Sequence, residues 1–441
     1  MEFLLPLDVE NNLIYKKKAI QGGGFRSFFT LKAVAAAVVF LWFVAQIVAV
    51  ALYWDLPAYS DSATYRQLAL ESSAAGWYPL ERHLFSENYI FNPGYVNFLI
   101  LYLKIFGTFS GIGVVNICLN CVLLWAVYDI TARLASRKAS YLAVIFFCIL
   151  PSNILVAAVT MSDLFFAALI YAAISLFRRN PWAILVAGLL TGMANYVRPI
   201  ALLFVVSMFL YAIVRKYRPA DLVLFLAAML AVTALVGAVN SRMTGETFVS
   251  GSTAGVNLIM GANPDADGSY NDAVFTPGHI GYIGQDGCSV FRKDSIWKSR
   301  AVEWIKENPA EYAGRAPVKL ARLWLGDSYH DLVLSPQRWP SPLKALTSLP
   351  YYIICAMAFV GLWRRRRGIF GVWGIYLLPV LGASAMHMLL YGGMRYHYPF
   401  MPVVILFATQ AFCRSGAAGQ KKYYDGKTEI LHTASSTGPV G

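Results

Sequence analysis

Two aspartates stand at the edges of apolar segments, where a carboxylate could act on a substrate bound at a membrane surface. Asp61 lies in the run Tyr59-Ser60-Asp61-Ser62-Ala63-Thr64-Tyr65, and Asp163 ends the run Thr160-Met161-Ser162-Asp163. A carboxylate in such a position can serve as a general base. An ionisable residue at membrane depth indicates a functional site, because burying it there is costly. For Asp61 the competing interpretation is an N-cap of a helix predicted over 62–75.

Two arginines have similar surroundings. Arg198 lies in Asn195-Tyr196-Val197-Arg198-Pro199, and Arg395 lies in Gly392-Gly393-Met394-Arg395-Tyr396-His397-Tyr398-Pro399. Each one alone could be a side chain that reaches from an apolar helix end to water. Together with the two aspartates they indicate a site at the membrane interface, where planar guanidinium groups can hold a phosphate bidentately.

The elements that position these residues must lie in lipid. The chain has 441 residues, of which 58% are hydrophobic and 14% are charged. Soluble proteins average roughly half apolar and about a quarter charged residues, so we predict an all-α polytopic membrane protein. Runs of roughly 20 apolar residues can cross a bilayer. We predict ten such spans at about 29–53, 111–130, 139–158, 160–177, 181–197, 199–214, 220–240, 347–363, 369–390 and 398–413.

The basic residues predict which loops are cytoplasmic. Clusters at 16–18, 133–138, 178–179, 215–218, 364–367 and 414–422 all fall on one side if the short apolar stretch 93–107 does not cross. That stretch is then a juxtamembrane or re-entrant helix, and both termini are cytoplasmic. The cytoplasmic segments hold 21 of the 37 basic residues and 7 of the 24 acidic ones. The net charge of +13 is therefore explained by topology, and no nucleic-acid partner is implied.

The predicted topology divides the chain into five parts. They are a cytoplasmic segment 1–28, a catalytic membrane module 29–240 with a first far-side loop 54–92, a far-side loop subdomain 241–345, C-terminal membrane helices 346–413 and a disordered tail 414–441. In the subdomain we predict a helix capped by Asp294 and another that begins at Asn308-Pro309. The second carries Arg315, Lys319 and Arg322. It either lies on the membrane surface or holds an anionic lipid head group.

The order of the motifs resembles that of the GT-C membrane glycosyltransferases that use lipid-linked sugars, such as protein O-mannosyltransferases and the bacterial aminoarabinose transferase. A loop acid and Tyr65 follow the first span, and Asn92-Pro93-Gly94-Tyr95 is similar to the family's proline-rich segment. Ser162-Asp163, Arg198-Pro199 and Arg395-Tyr396 follow in order. The segment from Gly255 to Pro264 also resembles one in bacterial members. The resemblance covers about 55–412.

The resemblance implies an inverting transfer from a polyprenyl-phosphate sugar to a glycan, lipid or protein acceptor. Asp61 would be the base, Arg198 and Arg395 would hold the departing phosphate, and Asp163 would orient the acceptor or the loop. The further positions implied to bind substrate are Tyr65, Asn92, Lys319, Tyr396 and His397. The implied location is the bacterial cytoplasmic (inner) membrane, with the site facing the periplasm or exterior.

One departure concerns phosphate and metal handling. Phe91-Asn92 stands where the aminoarabinose transferase has Glu-Lys. No cofactor is required by the motifs, and a divalent metal ion stays open. Three other functions also stay open: a polysaccharide polymerase or ligase that uses lipid diphosphates, a secondary transporter or lipid flippase, and a non-catalytic membrane scaffold. A transporter built from duplicated halves predicts internal repeats, and none is evident in the sequence.

Overall fold

Helices form the regular structure of the residues that the computed structural model describes, which are 24–54, 58–251, 253–284, 287–327 and 341–413. The predicted tail 414–441 and most of segment 1–28 lie outside them. The first eleven helices are α1 Gly24–Leu52, α2 Asp61–Ser72, α3 Glu81–Ser86, α4 Pro93–Phe106, α5 Ile112–Leu134, α6 Arg137–Cys148, α7 Ser152–Leu155, α8 Ser162–Leu176, α9 Pro181–Val197, α10 Ala201–Val214 and α11 Pro219–Thr244.

The loop subdomain contains α12 Ala254–Gly261, α13 Val290–Glu307, α14 Pro309–Gly314 and α15 Ala316–Trp324. Three further helices complete the membrane part, α16 Ser341–Arg365, α17 Val372–Leu389 and α18 Met401–Gln410. Short 3₁₀ helices occupy Val156–Ala158, Asp272–Phe275, Arg366–Gly368 and Met394–Phe400. An all-α chain is thus confirmed for the described residues, in which no strand occurs.

Within the described part of the chain, five helices are long and apolar enough to cross a membrane: Thr30–Leu52, Ile112–Leu134, Pro219–Thr244, Lys344–Gly368 and Val372–Leu389. A sixth crossing results if Arg137–Cys148 and Ser152–Ala158, which meet at 73°, form one broken span. The other predicted spans coincide with α8, α9, α10 and α18, which have 10 to 17 residues. These helices indicate an integral membrane protein, while the number of ten spans stays a prediction.

Helix α8 lies at the centre of the helical assembly. Nearly every residue from Ser162 to Ser175 is buried, so the helix is enclosed by protein on all sides rather than by lipid. Its neighbours include α5 and α9. Asp163 occupies the first turn of this helix, and the packing therefore fixes its carboxylate inside the protein.

Helix α4 covers the apolar stretch 93–107, and its two ends lie beside the far-side ends of membrane helices. At its start, a Cβ on Gly94 would come within 2.8 Å of the carbonyl oxygen of Tyr196, near the end of α9. Beyond its end, a Cβ on Gly111 would lie 3.6 Å from Trp54, which follows α1. Trp54 also opens the loop that leads to the start of α4, so both ends of this helix lie near the same side of the helical assembly, as expected of a helix that does not cross.

The loop subdomain has its own apolar core, which includes Val256, Ile259, Trp297 and Trp304. The prediction that Asp294 caps its own helix is wrong. Helix α13 begins four residues earlier, where the side chain of Ser289 accepts the cap hydrogen bond from the Arg292 amide. The second predicted helix does begin at Pro309, but it breaks into α14 and α15 at Arg315.

Asp294 instead caps a different helix. Its Oδ1 accepts hydrogen bonds from the amides of Gly255 at 2.8 Å and Val256 at 3.2 Å, in the first turn of α12. A carboxylate there satisfies amides that have no partner within the helix. The residue thus ties α13 to α12, and the tertiary contact replaces the local cap that the sequence favours.

The loop subdomain packs closely against residues 389–393, the segment that precedes Arg395. The amide of Gly392 donates to the carbonyl of Gly268 at 2.9 Å. A Cβ on Gly261 would lie 1.6 Å from the carbonyl oxygen of Leu390, and one on Gly392 would lie 2.1 Å from that of Lys319. Backbones can approach this closely only at glycine. We call this contact between the subdomain and residues 389–393 the clamp.

Candidate active site

Asp61 is the first residue of α2, and its carboxylate does not act as the N-cap. The cap position is Ser60, whose φ of 53° is left-handed and whose side chain makes no cap hydrogen bond. The N-cap interpretation of Asp61 is therefore wrong, and the helix ends at Ser72 rather than at 75. A negative charge in the first turn is still favourable, because amide dipoles point their positive ends there.

The Asp61 carboxylate forms an ion pair with Arg395. Nη2 of Arg395 donates to Oδ2 of Asp61. The Arg395 guanidinium also lies 5.1 Å from the centre of the Tyr396 ring. The Asp61 side chain is 25% exposed and that of Arg395 is 17% exposed, so each side chain keeps part of its surface open.

A second ion pair, between Asp163 and Arg198, is more deeply buried. Nη1 of Arg198 lies 3.0 Å from Oδ1 of Asp163, and the Asp163 side chain is fully buried. Arg198 directly follows α9, while Asp163 lies in the first turn of α8. The ends of two central helices therefore bring the two charges together. Arg198 also donates from Nε at 3.1 Å and from Nη2 at 2.8 Å to the hydroxyl of Ser162.

Tyr65 and Asn92 join this second pair through Ser162. The Tyr65 hydroxyl lies 2.9 Å from the Ser162 hydroxyl, and Nδ2 of Asn92 donates to the Tyr65 oxygen at 2.5 Å. Burial raises the pKa of Tyr65, although the charge of Arg198 opposes this. The phenol is therefore neutral at pH 7. The Tyr65 and Ser162 hydroxyls share one hydrogen bond in which either can donate, and this bond ties α2 to the buried ion pair.

Two of the residues named from the sequence lie away from these pairs. His397 is buried, shares a hydrogen bond of 3.0 Å with the carbonyl of Leu323 and lies against the rings of Trp324 and Tyr351. Lys319 is fully buried and donates to the Leu389 carbonyl at 3.3 Å. Lys319 thus belongs to the clamp, and His397 belongs to the packing behind the Arg395 segment. Neither contacts Asp61 or Asp163 through a bond that the structure shows.

Tyr396 does lie at the site, in a group of tyrosines that the sequence did not identify. Its hydroxyl is 3.1 Å from that of Tyr391, and the Tyr391 ring lies 6.0 Å from the ring of Tyr270. Burial raises the pKa of Tyr89 and of Tyr270, and the negative charge of Asp61 adds to both shifts. These four residues, Tyr89, Tyr270, Tyr391 and Tyr396, which we call the tyrosine wall, therefore form a group close to Asp61. Their spacing in the sequence gave no periodic signal.

Arg66 and Thr160 were also missed. Arg66 donates to the Thr160 hydroxyl from Nε at 3.0 Å and from Nη2 at 2.8 Å. Thr160 lies two residues before Ser162, which binds Arg198 in the same manner. Two hydroxyls on one short segment thus hold two guanidinium groups. The signal was present in the sequence as a hydroxyl at both positions, 160 and 162.

The arrangement does not suit a divalent metal ion. In the part of the chain that the structure describes, no group of three or more histidine, cysteine or acidic side chains could hold one. The partner of the Asp61 carboxylate is a guanidinium rather than a second acid. What the site offers is a partly exposed carboxylate beside cations and phenol groups. Such groups can accept a proton and stabilise a developing anion.

No protein-family model matches the sequence, and no curated protein matches it. Solved structures of the Archaeoglobus fulgidus oligosaccharyltransferase are similar in shape. The apo form has a TM-score of 0.48 and 13% identity, over 92% of this chain and 53% of that chain. The complex with an inhibitory peptide and a dolichol-phosphate has a TM-score of 0.45 and 13% identity, over 95% and 53%. This chain thus spans about half the length of those proteins, and at this identity the likeness assigns it no residue and no substrate.

Proposed function

We propose that this protein is an inverting glycosyltransferase of the GT-C type, which moves a sugar from a polyprenyl-phosphate carrier to an acceptor hydroxyl. The observation that supports this most directly is the ion pair between Asp61 and Arg395. It joins a carboxylate that can take a proton to a cation that can take a phosphate, in a position open to ligands. The predicted topology puts both on the non-cytoplasmic face, which is the periplasm or exterior of a bacterial cytoplasmic membrane.

In the proposed reaction the acceptor oxygen attacks the anomeric carbon of the sugar. Asp61 takes the proton of the acceptor hydroxyl as the new carbon–oxygen bond forms. The bond between the anomeric carbon and the phosphate oxygen breaks, and the electron pair leaves with the polyprenyl phosphate. The leaving phosphate therefore gains one negative charge, which Arg395 and Arg198 stabilise. Attack from the face opposite the phosphate inverts the anomeric configuration.

The ion pair must open for this chemistry to occur. While Arg395 holds Asp61, the guanidinium occupies the carboxylate oxygen Oδ2. A phosphate can accept hydrogen bonds from the same guanidinium, and it can do so bidentately. We propose that the donor phosphate replaces Asp61 as the partner of Arg395 and thereby frees the base. The base then becomes active only when the donor is bound.

The buried pair has a positioning role in this scheme. Asp163 forms an ion pair with Arg198 at 3.0 Å, and Ser162 accepts two hydrogen bonds from the same guanidinium. A cation that is already fixed loses little entropy when a phosphate arrives. Tyr65 and Asn92 extend the same network to α2, the helix that carries Asp61. Asp163 therefore supports the geometry rather than meeting the acceptor directly.

The acceptor would bind along the tyrosine wall. Phenol rings offer flat apolar area together with hydroxyl groups, and such surfaces suit partly polar ligands. The loop subdomain supplies Tyr270, so it would take part in selecting the acceptor. Glycan, lipid and protein acceptors all carry hydroxyl groups that fit this chemistry.

The test uses purified protein in proteoliposomes. Polyprenyl-phosphate hexoses and pentoses with a radiolabelled sugar are added with an extract of acceptor-containing membranes, and the release of polyprenyl phosphate is measured. We expect Asp61→Asn to lower the rate by about 10² to 10⁴-fold, which is the range for loss of a general base. The matched control is Glu71→Gln, an exposed acid on the same helix that accepts a hydrogen bond from Gln67. Full activity of Asp61→Asn, or turnover of lipid diphosphates alone, would contradict the proposal.

A further inference from the structure

A third arginine, Arg66, adds a positive charge to the two ion pairs. Arg395 is paired with Asp61, and Arg198 is paired with Asp163. Each pair is neutral as a unit. Arg66 contributes a further positive charge, and among the described residues no carboxylate lies within ion-pair distance of it. Its hydrogen-bond partner is the neutral hydroxyl of Thr160.

The Arg66 guanidinium is held in a fixed orientation. Nε and Nη2 both donate to Oγ1 of Thr160, at 3.0 and 2.8 Å, and Thr160 is fully buried. The guanidinium also lies 5.5 Å from the centre of the Phe109 ring. A guanidinium has five N–H donors, so three of them point away from Thr160. A fixed cation with spare donors on one edge matches the geometry of a phosphate.

The position of Arg66 relates this cation to the proposed reaction centre. Arg66 is five residues after Asp61 on α2, which is about 7.5 Å along the helix axis. Its partner Thr160 is two residues before Ser162, which holds Arg198. Arg66 is adjacent to Tyr65, which contacts Ser162. The segment that contains Thr160 and Ser162 therefore holds both Arg66 and Arg198, and α2 connects Arg66 with Asp61, the partner of Arg395.

An apolar surface adjoins this cation. Phe109 lies in the turn between α4 and α5, and neighbouring side chains of these two helices are strongly exposed: Leu101 57%, Ile105 64%, Phe106 57% and Val114 53%. A ligand that fits both features has an anionic head and a long apolar tail. Inorganic phosphate offers only the first of these.

The geometry points to Arg66 as a binding residue for the phosphate of a lipid phosphate, with its apolar chain on the exposed surface of α4 and α5 next to Phe109. This inference rests on the proposed function in naming the lipid as the donor carrier. It assigns to Arg66 the first capture of the phosphate, since among the described residues no carboxylate pairs with this cation and has to be displaced. Arg395 then takes over the phosphate when it releases Asp61.

Partial desolvation is consistent with this role. Burial lowers the pKa of Arg66, which means that the surroundings stabilise its charge less well than water does. A bound anion offsets that cost. The guanidinium nevertheless stays protonated at neutral pH because an arginine pKa is ordinarily far above 7.

The test measures binding without any sugar transfer. Farnesyl phosphate is titrated into the full-length protein in detergent, with farnesol, inorganic phosphate and phosphatidylglycerol vesicles as separate probes. Loss of a hydrogen bond to a charged group corresponds to about 10 to 100-fold in affinity. We expect Arg66→Gln to weaken farnesyl phosphate binding by that factor, and Arg66→Lys to retain only part of it, because an ammonium keeps the charge but not the fork that Thr160 holds. Farnesol binding should not change.

The matched control is Arg82→Gln. Arg82 is an exposed arginine of the same loop, and it donates to the backbone carbonyl of Glu71. This control should bind farnesyl phosphate within about twofold of the unsubstituted protein. An equal loss in both variants, or a loss for phosphatidylglycerol vesicles that matches the loss for farnesyl phosphate, would show a general membrane attraction and overturn the inference. Intact binding in Arg66→Gln would overturn it too.

Failure of this inference is distinguishable from failure of the proposed function. Binding of farnesyl phosphate needs neither a sugar nor the base, so Asp61→Asn should still bind it. A protein that binds the probe through Arg66 but transfers no sugar would retain the lipid-phosphate site and lose the assigned reaction. Thermal unfolding of each variant shows whether it is folded, and Arg66→Lys provides a second variant that keeps the charge.

Discussion

Asp61 and Arg395 form an ion pair although 334 residues separate them in the sequence. One lies at the start of a helix in the first far-side loop, and the other lies just before the last helix. The contact therefore joins an early and a late part of the chain at the proposed reaction site. The two residues have different proposed roles, since Asp61 would take a proton and Arg395 would bind a phosphate.

Removal of the cation of this pair should impair transfer more than folding. We expect Arg395→Gln to lower kcat by about 10² to 10³-fold, the range seen when a donor to a developing oxyanion is lost. The measurement is steady-state release of polyprenyl phosphate. Arg322→Gln is the control, because Arg322 is an exposed cation of the loop subdomain that pairs with Asp267 at 3.4 Å. Similar losses in both variants would contradict a specific role for Arg395.

Disruption of the buried pair should affect stability. Asp163→Asn leaves the Arg198 charge without its carboxylate in a buried position, and removing one partner of such a pair costs about 3–5 kcal/mol. We expect a clear fall in the midpoint of thermal unfolding. The double variant with Arg198→Gln should recover part of this loss because no lone charge remains. A double variant less stable than Asp163→Asn alone would contradict this account.

Lys319 predicts a dependence of stability on pH. Burial, and secondarily the charge of Arg315, lower its pKa from 10.5 to about 8. Between these values the unfolded chain binds a proton that the folded chain does not, so stability should rise as the pH increases from 8 to 10.5. The lysine contributes up to about 3 kcal/mol to this rise. Lys319→Met should flatten it in thermal unfolding series, and identical slopes for both proteins would refute the assignment.

The clamp predicts a specific sensitivity to small side chains. Gly261→Ala would place a methyl group 1.6 Å from the Leu390 carbonyl oxygen, so the backbone must shift. Overpacking of this kind costs typically about 1–3 kcal/mol. We expect lower stability and reduced transfer, because Arg395 follows the displaced segment. Gly314→Ala is the control, since a Cβ there meets nothing within 4 Å. Equal effects of the two substitutions would argue against the clamp.

Helix α4 predicts a topology that can be measured. Ser86 and Thr108 are exposed residues on either side of it. We expect Ser86→Cys and Thr108→Cys to react with a membrane-impermeant thiol reagent from the same, non-cytoplasmic side. The reference is the labelling of the unsubstituted protein, which has six cysteines of its own. Labelling from opposite sides would mean that α4 crosses the membrane.

The sequence was most informative where burial of charge is expensive. Asp163 and Arg198 stood out because each is an ionisable residue within apolar surroundings, and the structure pairs them. Helix positions followed from the lengths of apolar runs. The ion pair of Asp61 was not predicted, because a contact between distant segments depends on how whole helices pack. The sequence could indicate that both residues share a face, but not that they touch.

The errors have the same origin. Asp294 and Ser289 are both acceptable cap residues, and only the approach of α12 shows that Asp294 is engaged elsewhere. His397 is next to Tyr396 in the sequence, yet the tight 3₁₀ turn at Met394–Phe400 directs it into the protein interior. The tyrosine wall combines residues from three separate segments. No local pattern could have joined them.

The clamp also has a consequence for biosynthesis. The loop subdomain is synthesised before residues 389–393, so the clamp cannot form until that later segment has been made. Arg395 can pair with Asp61 only after that segment has been inserted and has packed against Gly261 and Gly268. A chain that stops short of residues 389–393 therefore lacks both the clamp and the Asp61–Arg395 ion pair, on which the proposed transfer depends.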